Sequence, residues 1–115
     1  MASFALDTDI GTDVDDLLAL AMVLGSPELS VSEIVTAYGD VALRARIAAK
    51  VYAVLGIAAP PIVPGLAETL SGRPVWWPGH EGETISDLAD QVCSEGRDAI
   101  ADLSGTATIA AIAPL

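Results

Sequence analysis

The sequence has little cysteine and little positive charge, and each shortage excludes a class of protein. Cys93 is the only cysteine among 115 residues, which excludes an internal disulfide and a metal site built from several cysteines. Five Lys and Arg residues stand against 16 Asp and Glu residues, so the net charge is −11. Nucleic-acid phosphates and anionic membranes repel such a chain, and we expect neither as a partner.

Long apolar segments are missing as well. No apolar run reaches the roughly 18 residues of a membrane-spanning helix. Met1 leads directly into a short apolar stretch, without the charged start and long apolar core of a signal peptide. We therefore expect a cytoplasmic protein. A hydrophobic content of 52% and a mean hydropathy of +0.53 supply ample material for a core, and the length allows at most one domain.

Aspartate is abundant in one stretch near the start of the chain. Five of the ten residues from 7 to 16 are aspartates, namely Asp7, Asp9, Asp13, Asp15 and Asp16. An apolar run, residues 4–6, precedes the stretch, and a longer one, residues 17–24, follows it and is ended by Gly25. The pattern predicts a strand, an acidic loop and a buried helix, with the last aspartates near the helix start, where backbone N–H groups favour negative charge.

The helix start does not account for the whole cluster. Two carboxylates about 5 Å apart repel each other by roughly 3 kcal/mol at an effective dielectric constant near 20. Several carboxylates at one strand end therefore need a compensating cation, and Ca²⁺, which takes about 6–8 oxygen ligands, is the simplest candidate. The alternative is a solvated acidic turn, which is less typical between an apolar strand and an apolar helix.

The rest of the chain alternates between strand and helix patterns. Residues 34–38 predict a second strand, residues 42–55 a helix ended by Gly56, and residues 62–63 a short third strand. Three basic residues are expected on the solvent side of the second helix: Arg44, Arg46 and Lys50. The alternation predicts an α/β fold with an open parallel sheet and flanking helices.

Three further segments complete this interpretation. Residues 68–84 predict a loop, whose Trp76 and Trp77 either stack on a base or pack the loop onto the core. Residues 86–103 predict a helix, either continuous or broken at Gly96. The apolar run 107–113 is typical of a buried parallel strand. Ligands bind beyond the carboxyl ends of such strands. The acidic stretch follows the first strand and Asp40 follows the second, so we expect them to meet in one crevice.

Several common motifs are excluded by spacing. The chain has no Gly-x-x-x-x-Gly-Lys and no Gly-x-Gly-x-x-Gly, and a calcium EF-hand loop starting at Asp7 would need Gly and Glu where Thr12 and Leu18 stand. The acidic stretch instead resembles the N-terminal signature of the inosine-uridine preferring nucleoside hydrolases. That signature reads Asp-Thr-Asp-x-Gly, a short spacer, then Asp-Asp before an apolar helix, and residues 7–11 and 15–20 match it.

The resemblance implies the N-terminal portion of a Rossmann-like nucleoside-hydrolase fold and hydrolysis of the N-glycosidic bond of ribonucleosides. It assigns Asp9 as general base and calcium ligand, Asp16 as a second calcium ligand, and Asp15 as acceptor of a ribose hydroxyl. Asp7 would lie behind the ligands and fix the loop, and Asp13 would be an exposed spacer residue.

Two further substrate-binding residues are implied less directly. Asp40 stands where the family carries an Asn on the sugar side of the site, so an acceptor is kept and the amide donor is lost. His80 corresponds loosely to a His-Gly-rich segment near the substrate.

The resemblance covers residues 1–115 but less than half of a family member. Residues 113–115 match the middle of a Gly-Pro-Leu-Thr-Asn motif, whose Thr supplies a calcium ligand in the family. A later metal-binding aspartate and the histidine that serves as leaving-group acid are not in the sequence. We therefore expect one truncated domain that is inactive alone and self-associates, and a homo-oligomer for full-length members.

Two other classes compete with this hypothesis. Phosphatases of the haloacid-dehalogenase type also place Asp-x-Asp and a metal after an apolar strand. They carry Thr or Val two residues after the second Asp, where this chain has Gly11, and they give no reason for Asp15 and Asp16. The other class is a non-enzymatic acidic domain that binds cations or a basic partner.

Overall fold

A four-stranded parallel sheet forms the centre of the molecule. The structure is a computed structural model that describes residues 2–94, 97–99, 103, 105 and 108–114. The strands are β1 (Ala2–Thr8), β2 (Leu29–Thr36), β3 (Ile62–Pro64) and β4 (Ile109–Ala111). Their order is β3-β2-β1-β4, and every neighbouring pair is parallel. This confirms the predicted α/β fold with an open parallel sheet.

Each face of the sheet carries its own apolar cluster. Helices α1 (Asp15–Leu24) and α2 (Val41–Leu55) cover one face, where Ile34 of β2 packs in one cluster with Leu20 and Ala48. Val35, the next residue of β2, belongs to a second cluster with Val63 and Ala99. Successive side chains of a strand point to opposite faces. The sheet is therefore packed on both faces, as parallel sheets usually are.

The segment after β3 is where the sequence prediction is wrong. Instead of a helix from residue 86, the chain forms a single 3₁₀ turn, Leu88–Asp90, and residues 91–94 are not helical. Two contacts hold it in this path: Lys50 Nζ lies 2.6 Å from Asp87 Oδ2, and Ser94 N–H donates to Ile62 O at 2.7 Å. Ala99 and Leu103 are helical, while the proposed break at Gly96 lies outside the described residues.

Other element boundaries differ by a few residues. Strand β2 begins at Leu29, before the predicted start, and ends at Thr36. It cannot continue because Tyr38 has a φ of 75°, which is left-handed and not extended. Helix α2 ends at Gly56 in the left-handed conformation, as predicted. Strand β4 is a short edge strand, and its Ile109 is 45% exposed, whereas the apolar run predicted a buried strand.

Helix α1 is less buried than its sequence predicts. Only Asp16 and Leu20 are buried in it, while Leu18 and Met22 are 62% and 71% exposed. The helix is apolar on all sides, but it touches the sheet with one narrow stripe, so its outer apolar residues face solvent. No helix in the described part of the chain is long and apolar enough to cross a membrane.

Tyr52 provides a test of the larger cluster. Its hydroxyl is buried and has no hydrogen-bond partner among the described residues, and burial raises the pKa of Tyr52 to about 12. Because the folded state disfavours the phenolate, this contribution to stability is complete below pH 10 and is lost as the pH rises from 10 to 12. We expect Tyr52→Phe to be at least as stable as the wild type at pH 8, with a gain of at most about 3 kcal/mol, because it removes a buried hydroxyl without a partner.

Urea denaturation at pH 8 and pH 11 measures both effects. Tyr52→Phe should lose less stability than the wild type between these pH values. Tyr38→Phe is the control, because the Tyr38 hydroxyl accepts a bond from Trp76 N–H and its removal should leave the alkaline loss in place. An identical alkaline loss in wild type and Tyr52→Phe would contradict the assignment.

Candidate functional site

The acidic loop is fastened to the end of β1 by the last residue of that strand. Thr8 Oγ1 donates to Asp16 Oδ2 at 2.5 Å, and Asp9 N–H donates to the same oxygen at 3.1 Å. Ile10 N–H in turn donates to Thr8 Oγ1 at 3.1 Å. These bonds hold Asp16, only 6% exposed, against the strand end. Thr8 is a site residue that the sequence did not indicate.

Four aspartates line one open cleft at the carboxyl edge of the sheet. They are Asp9, Asp13, Asp15 and Asp16, and residues 112–114, which follow β4, form the opposite wall. The cleft has a volume of about 300 Å³. The structure therefore brings together the three predicted site residues Asp9, Asp15 and Asp16, and Asp13 is exposed, as the spacer position predicts.

The carboxylates at this edge affect one another. Burial, followed by the hydrogen bond and the charge of Asp16, raises the pKa of Asp9 to about 6, although the charge of Arg44 acts in the opposite direction. Burial, and then the charge of Asp16, also raises the pKa of Asp7 above its ordinary value. Asp9 and Asp7 therefore bind protons more tightly than isolated carboxylates do, and a cation in the cleft would relieve the repulsion from Asp16.

The carboxylates of the cleft are the kind of ligand that calcium prefers, but they are too few to fill its coordination shell. Asp9 and Asp16 offer hard carboxylate oxygens in an acidic cleft, which suits Ca²⁺. Among the residues that the structure describes, however, no group of three or more His, Cys, Asp or Glu side chains is arranged to hold a metal ion. Calcium takes about 6–8 oxygen ligands, so most of them would have to be waters, backbone carbonyls or substrate hydroxyls.

Three predicted site residues are not among those that line the cleft. Asp40 is exposed, and its Oδ1 accepts a bond from Leu43 N–H at 3.1 Å, so it caps helix α2. His80 is exposed in its loop and is not among the residues that line the cleft. Asp7 lines a second cavity of about 180 Å³ on the other side, together with Val35 and Leu66.

Arg44 is the largest departure from the sequence prediction. It was expected on the solvent side of α2, but it is 0% exposed. Its Nε donates to Tyr38 O at 2.6 Å, its Nη2 donates to Thr12 Oγ1 at 2.9 Å, and its Nη1 donates to the carbonyls of Asp9 and Ile10. A buried charge is tolerated only when it is paired and hydrogen-bonded, and here the turns after β1 and β2 supply the acceptors.

A loop residue and an aromatic ring complete the surroundings of Arg44. Glu81, 5% exposed, accepts bonds from Thr12 Oγ1 at 3.2 Å and from Gly79 N–H at 3.1 Å. The Trp77 ring centre lies 4.6 Å from Arg44 Cζ, which is a cation–π distance. Trp77 also packs on Gly39, where a Cβ atom would come within 2.9 Å of Trp77 Cε3.

One feature of the sequence could have indicated that Arg44 lies beside the acidic loop. Arg44 is the first Lys or Arg after Met1, and the aspartate-rich stretch needs a nearby positive charge. The burial of Glu81 and the contact of Trp77 with Arg44 have no comparable signal, because both residues lie in a loop without periodicity.

A scan against protein-family models and a search of curated proteins find no match for this chain. The functional interpretation therefore depends on the residues of the cleft and on their order in the sequence.

The hydrogen bond between Thr8 and Asp16 can be tested directly. We expect Thr8→Val to lower the free energy of unfolding by about 1–3 kcal/mol, because Asp16 and Ile10 N–H each lose a buried partner. Thr84→Val, at an exposed position of the same residue type, should change it by less than about 0.5 kcal/mol. Urea denaturation of both variants measures the difference. Equal effects would show that the bond does not anchor the loop.

Proposed function

We propose that the acidic cleft hydrolyses the N-glycosidic bond of a ribonucleoside and holds Ca²⁺ between Asp9 and Asp16. One observation supports this above the others: Asp9, Asp15 and Asp16 line a single cleft beyond the carboxyl end of β1. They do so in the Asp-Thr-Asp-x-Gly and Asp-Asp order that resembles the nucleoside hydrolases. We further propose that the protein works in the cytoplasm on a small nucleoside.

Asp9 is the residue assigned to proton abstraction. It follows β1 directly, and its main chain is fixed on two sides, since its N–H donates to Asp16 and its carbonyl accepts from Arg44. Bound calcium would orient a water molecule and lower its pKa. As the water oxygen bonds to C1′ of the ribose, Asp9 takes the proton, and the C1′–N bond breaks with its electron pair leaving on the base.

Asp15 and Asp16 are assigned to binding. Asp16 is buried and held by Thr8, which suits a ligand whose position must not vary. Asp15 is exposed at the first position of α1, and an ionised carboxylate is a pure acceptor, which suits a ribose hydroxyl. The sugar becomes oxocarbenium-like in the transition state, and the negative charge of the cleft favours that state. Asp40 and His80 have no assigned step.

The geometry of Gly11 argues against the phosphatase alternative. Its φ is +124°, and a Cβ atom there would come within 2.8 Å of Ile47 Cδ1. The Thr or Val that those phosphatases carry at this position would be strained by this backbone conformation.

Calcium titration of three matched variants tests the proposed site. Calorimetry should show that Asp9→Asn and Asp16→Asn each weaken Ca²⁺ binding at least tenfold, because each removes a charged ligand. Asp13→Asn, which removes the same charge from an exposed position of the cleft, should change the affinity less than threefold. Equal losses in all three variants would show a diffuse charge effect without a defined site.

Turnover with two chromogenic substrates separates the enzyme classes. Any hydrolysis should release nitrophenol from a nitrophenyl riboside, not from a nitrophenyl phosphate, and should be lost in Asp9→Asn. Release from the phosphate alone would overturn the proposal in favour of a phosphatase. Calcium binding without hydrolysis of either substrate would fit both a non-enzymatic cation-binding domain and the inactive truncated domain that the resemblance implies.

A further inference from the structure

Arg44 connects parts of the molecule that are distant in sequence. Its guanidinium donates to the turn after β1, at Asp9, Ile10 and Thr12, and to the turn after β2, at Tyr38. Both turns border the carboxyl edge of the sheet. Tyr38 is the only non-glycine residue with positive φ in the described part of the chain. A strained residue of this kind persists only where its surroundings determine its conformation, and the bond from Arg44 to its carbonyl is such a constraint.

We propose that Arg44 is the positioning residue of the acidic site. By holding the Asp9 and Ile10 carbonyls it fixes the turn that carries the Asp9 carboxylate, while Thr8 fixes Asp16 from the other side. The distance between the two carboxylates is therefore set by Arg44 and Thr8 together. The inference deepens the proposed function because it concerns the same site, but it does not depend on whether the ligand is calcium or the substrate a nucleoside.

The role requires arginine and not merely a positive charge. A guanidinium is planar and carries five N–H donors in a fixed fork, whereas an ammonium is a compact charge on a flexible chain. Nε, Nη1 and Nη2 of Arg44 each serve a different acceptor. A lysine at position 44 would keep the charge but could not reach Tyr38 O, Ile10 O and Thr12 Oγ1 at once. Arg44→Lys therefore separates the geometric role from the electrostatic one.

The loop around Trp77 makes the arrangement observable. Trp77 covers one face of the guanidinium, and its ring also packs against Gly39. The second tryptophan, Trp76, is 69% exposed. A change in how Arg44 sits should therefore alter the emission of Trp77, and Trp76→Phe provides a background in which Trp77 is the only tryptophan.

Amide hydrogen exchange by NMR tests the proposal. The reporters are the Asp9 and Ile10 amides, which bond to Asp16 and Thr8, and the reference is the Ile34 amide, which bonds to Pro61 O in the core. In Arg44→Lys we expect the two loop amides to exchange at least tenfold faster while Ile34 changes less than twofold. Lys50→Met, which removes a positive charge from the same helix but only breaks the pair with Asp87, should leave all three unchanged.

Terbium luminescence gives a second readout, with Tb³⁺ as the probe of the carboxylate pair. Arg44→Lys should bind Tb³⁺ at least tenfold more weakly than the wild type and shift the Trp77 emission, although no metal ligand has been altered. Thr12→Val removes one acceptor of Arg44 and keeps the charge, so it should change loop exchange in the same direction by a smaller factor. This variant keeps the test valid if substitutions at Arg44 fail to fold.

Two results would overturn the inference. The first is equal acceleration of the Asp9, Ile10 and Ile34 amides, which would show that Arg44 supports global stability alone. The second is unchanged loop exchange in Arg44→Lys. Absence of Tb³⁺ binding in the wild type would instead contradict the proposed cation site, and the exchange pattern would still decide the role of Arg44.

Discussion

The carboxyl edge of the sheet depends on one buried cation. An arginine without exposed surface is costly unless its donors are paired, and Arg44 pairs with backbone carbonyls and a hydroxyl that belong to two separate turns. The same charge lies beside the most acidic part of the chain, and the pKa of Asp9 is lower than burial and Asp16 alone would make it. The Arg44 guanidinium therefore both pairs with the backbone carbonyls of the two turns and offsets part of the negative charge of the cleft.

The cleft is consequently held in large part by contacts behind it. Thr8 and Arg44 both act on the rear of the acidic loop, through Asp16 and through backbone carbonyls. This leaves the carboxylates of Asp9 and Asp15 facing the opening, where a ligand can reach them. Thr8 Oγ1 and Asp9 N–H both bond to Oδ2 of Asp16, and such contacts to a ligating carboxylate orient it for its ligand.

The fold and the cleft could be predicted because they depend on local patterns, and the rest could not because it depends on distant contacts. Alternating strand and helix patterns predicted the parallel sheet, and aspartates after an apolar strand predicted the cleft. The burial of Arg44 could not be predicted, since the sequence shows a charge on a helix but not the backbone carbonyls that accept its hydrogen bonds. Asp40 was ambiguous for a simpler reason: it lies in the short turn that joins β2 to α2, and capping of α2 uses its carboxylate.

Two failures concern apolar residues. The pattern of residues 86–103 suits a helix, but the Ser94 bond to the edge of β3 and the Lys50–Asp87 pair override it in residues 86–94. Helix α1 was expected to be buried because it is apolar all round, yet burial depends on how many neighbours surround a helix. Neither effect can be read from periodicity, which reports what a segment prefers and not what it contacts.

The pairing of β1 with β4 also has a consequence for the order of folding. Ala5 pairs with Ile109, so this ladder closes a loop that spans almost the whole chain, and such non-local contacts form late. The bond from Thr8 to Asp16 spans 8 residues and the bond from Arg44 to the Asp9 carbonyl spans 35. We expect the floor of the cleft to form during the early assembly of β1, α1, β2 and α2. Its wall, residues 112–114, is then added last, onto carboxylates that already have their positions.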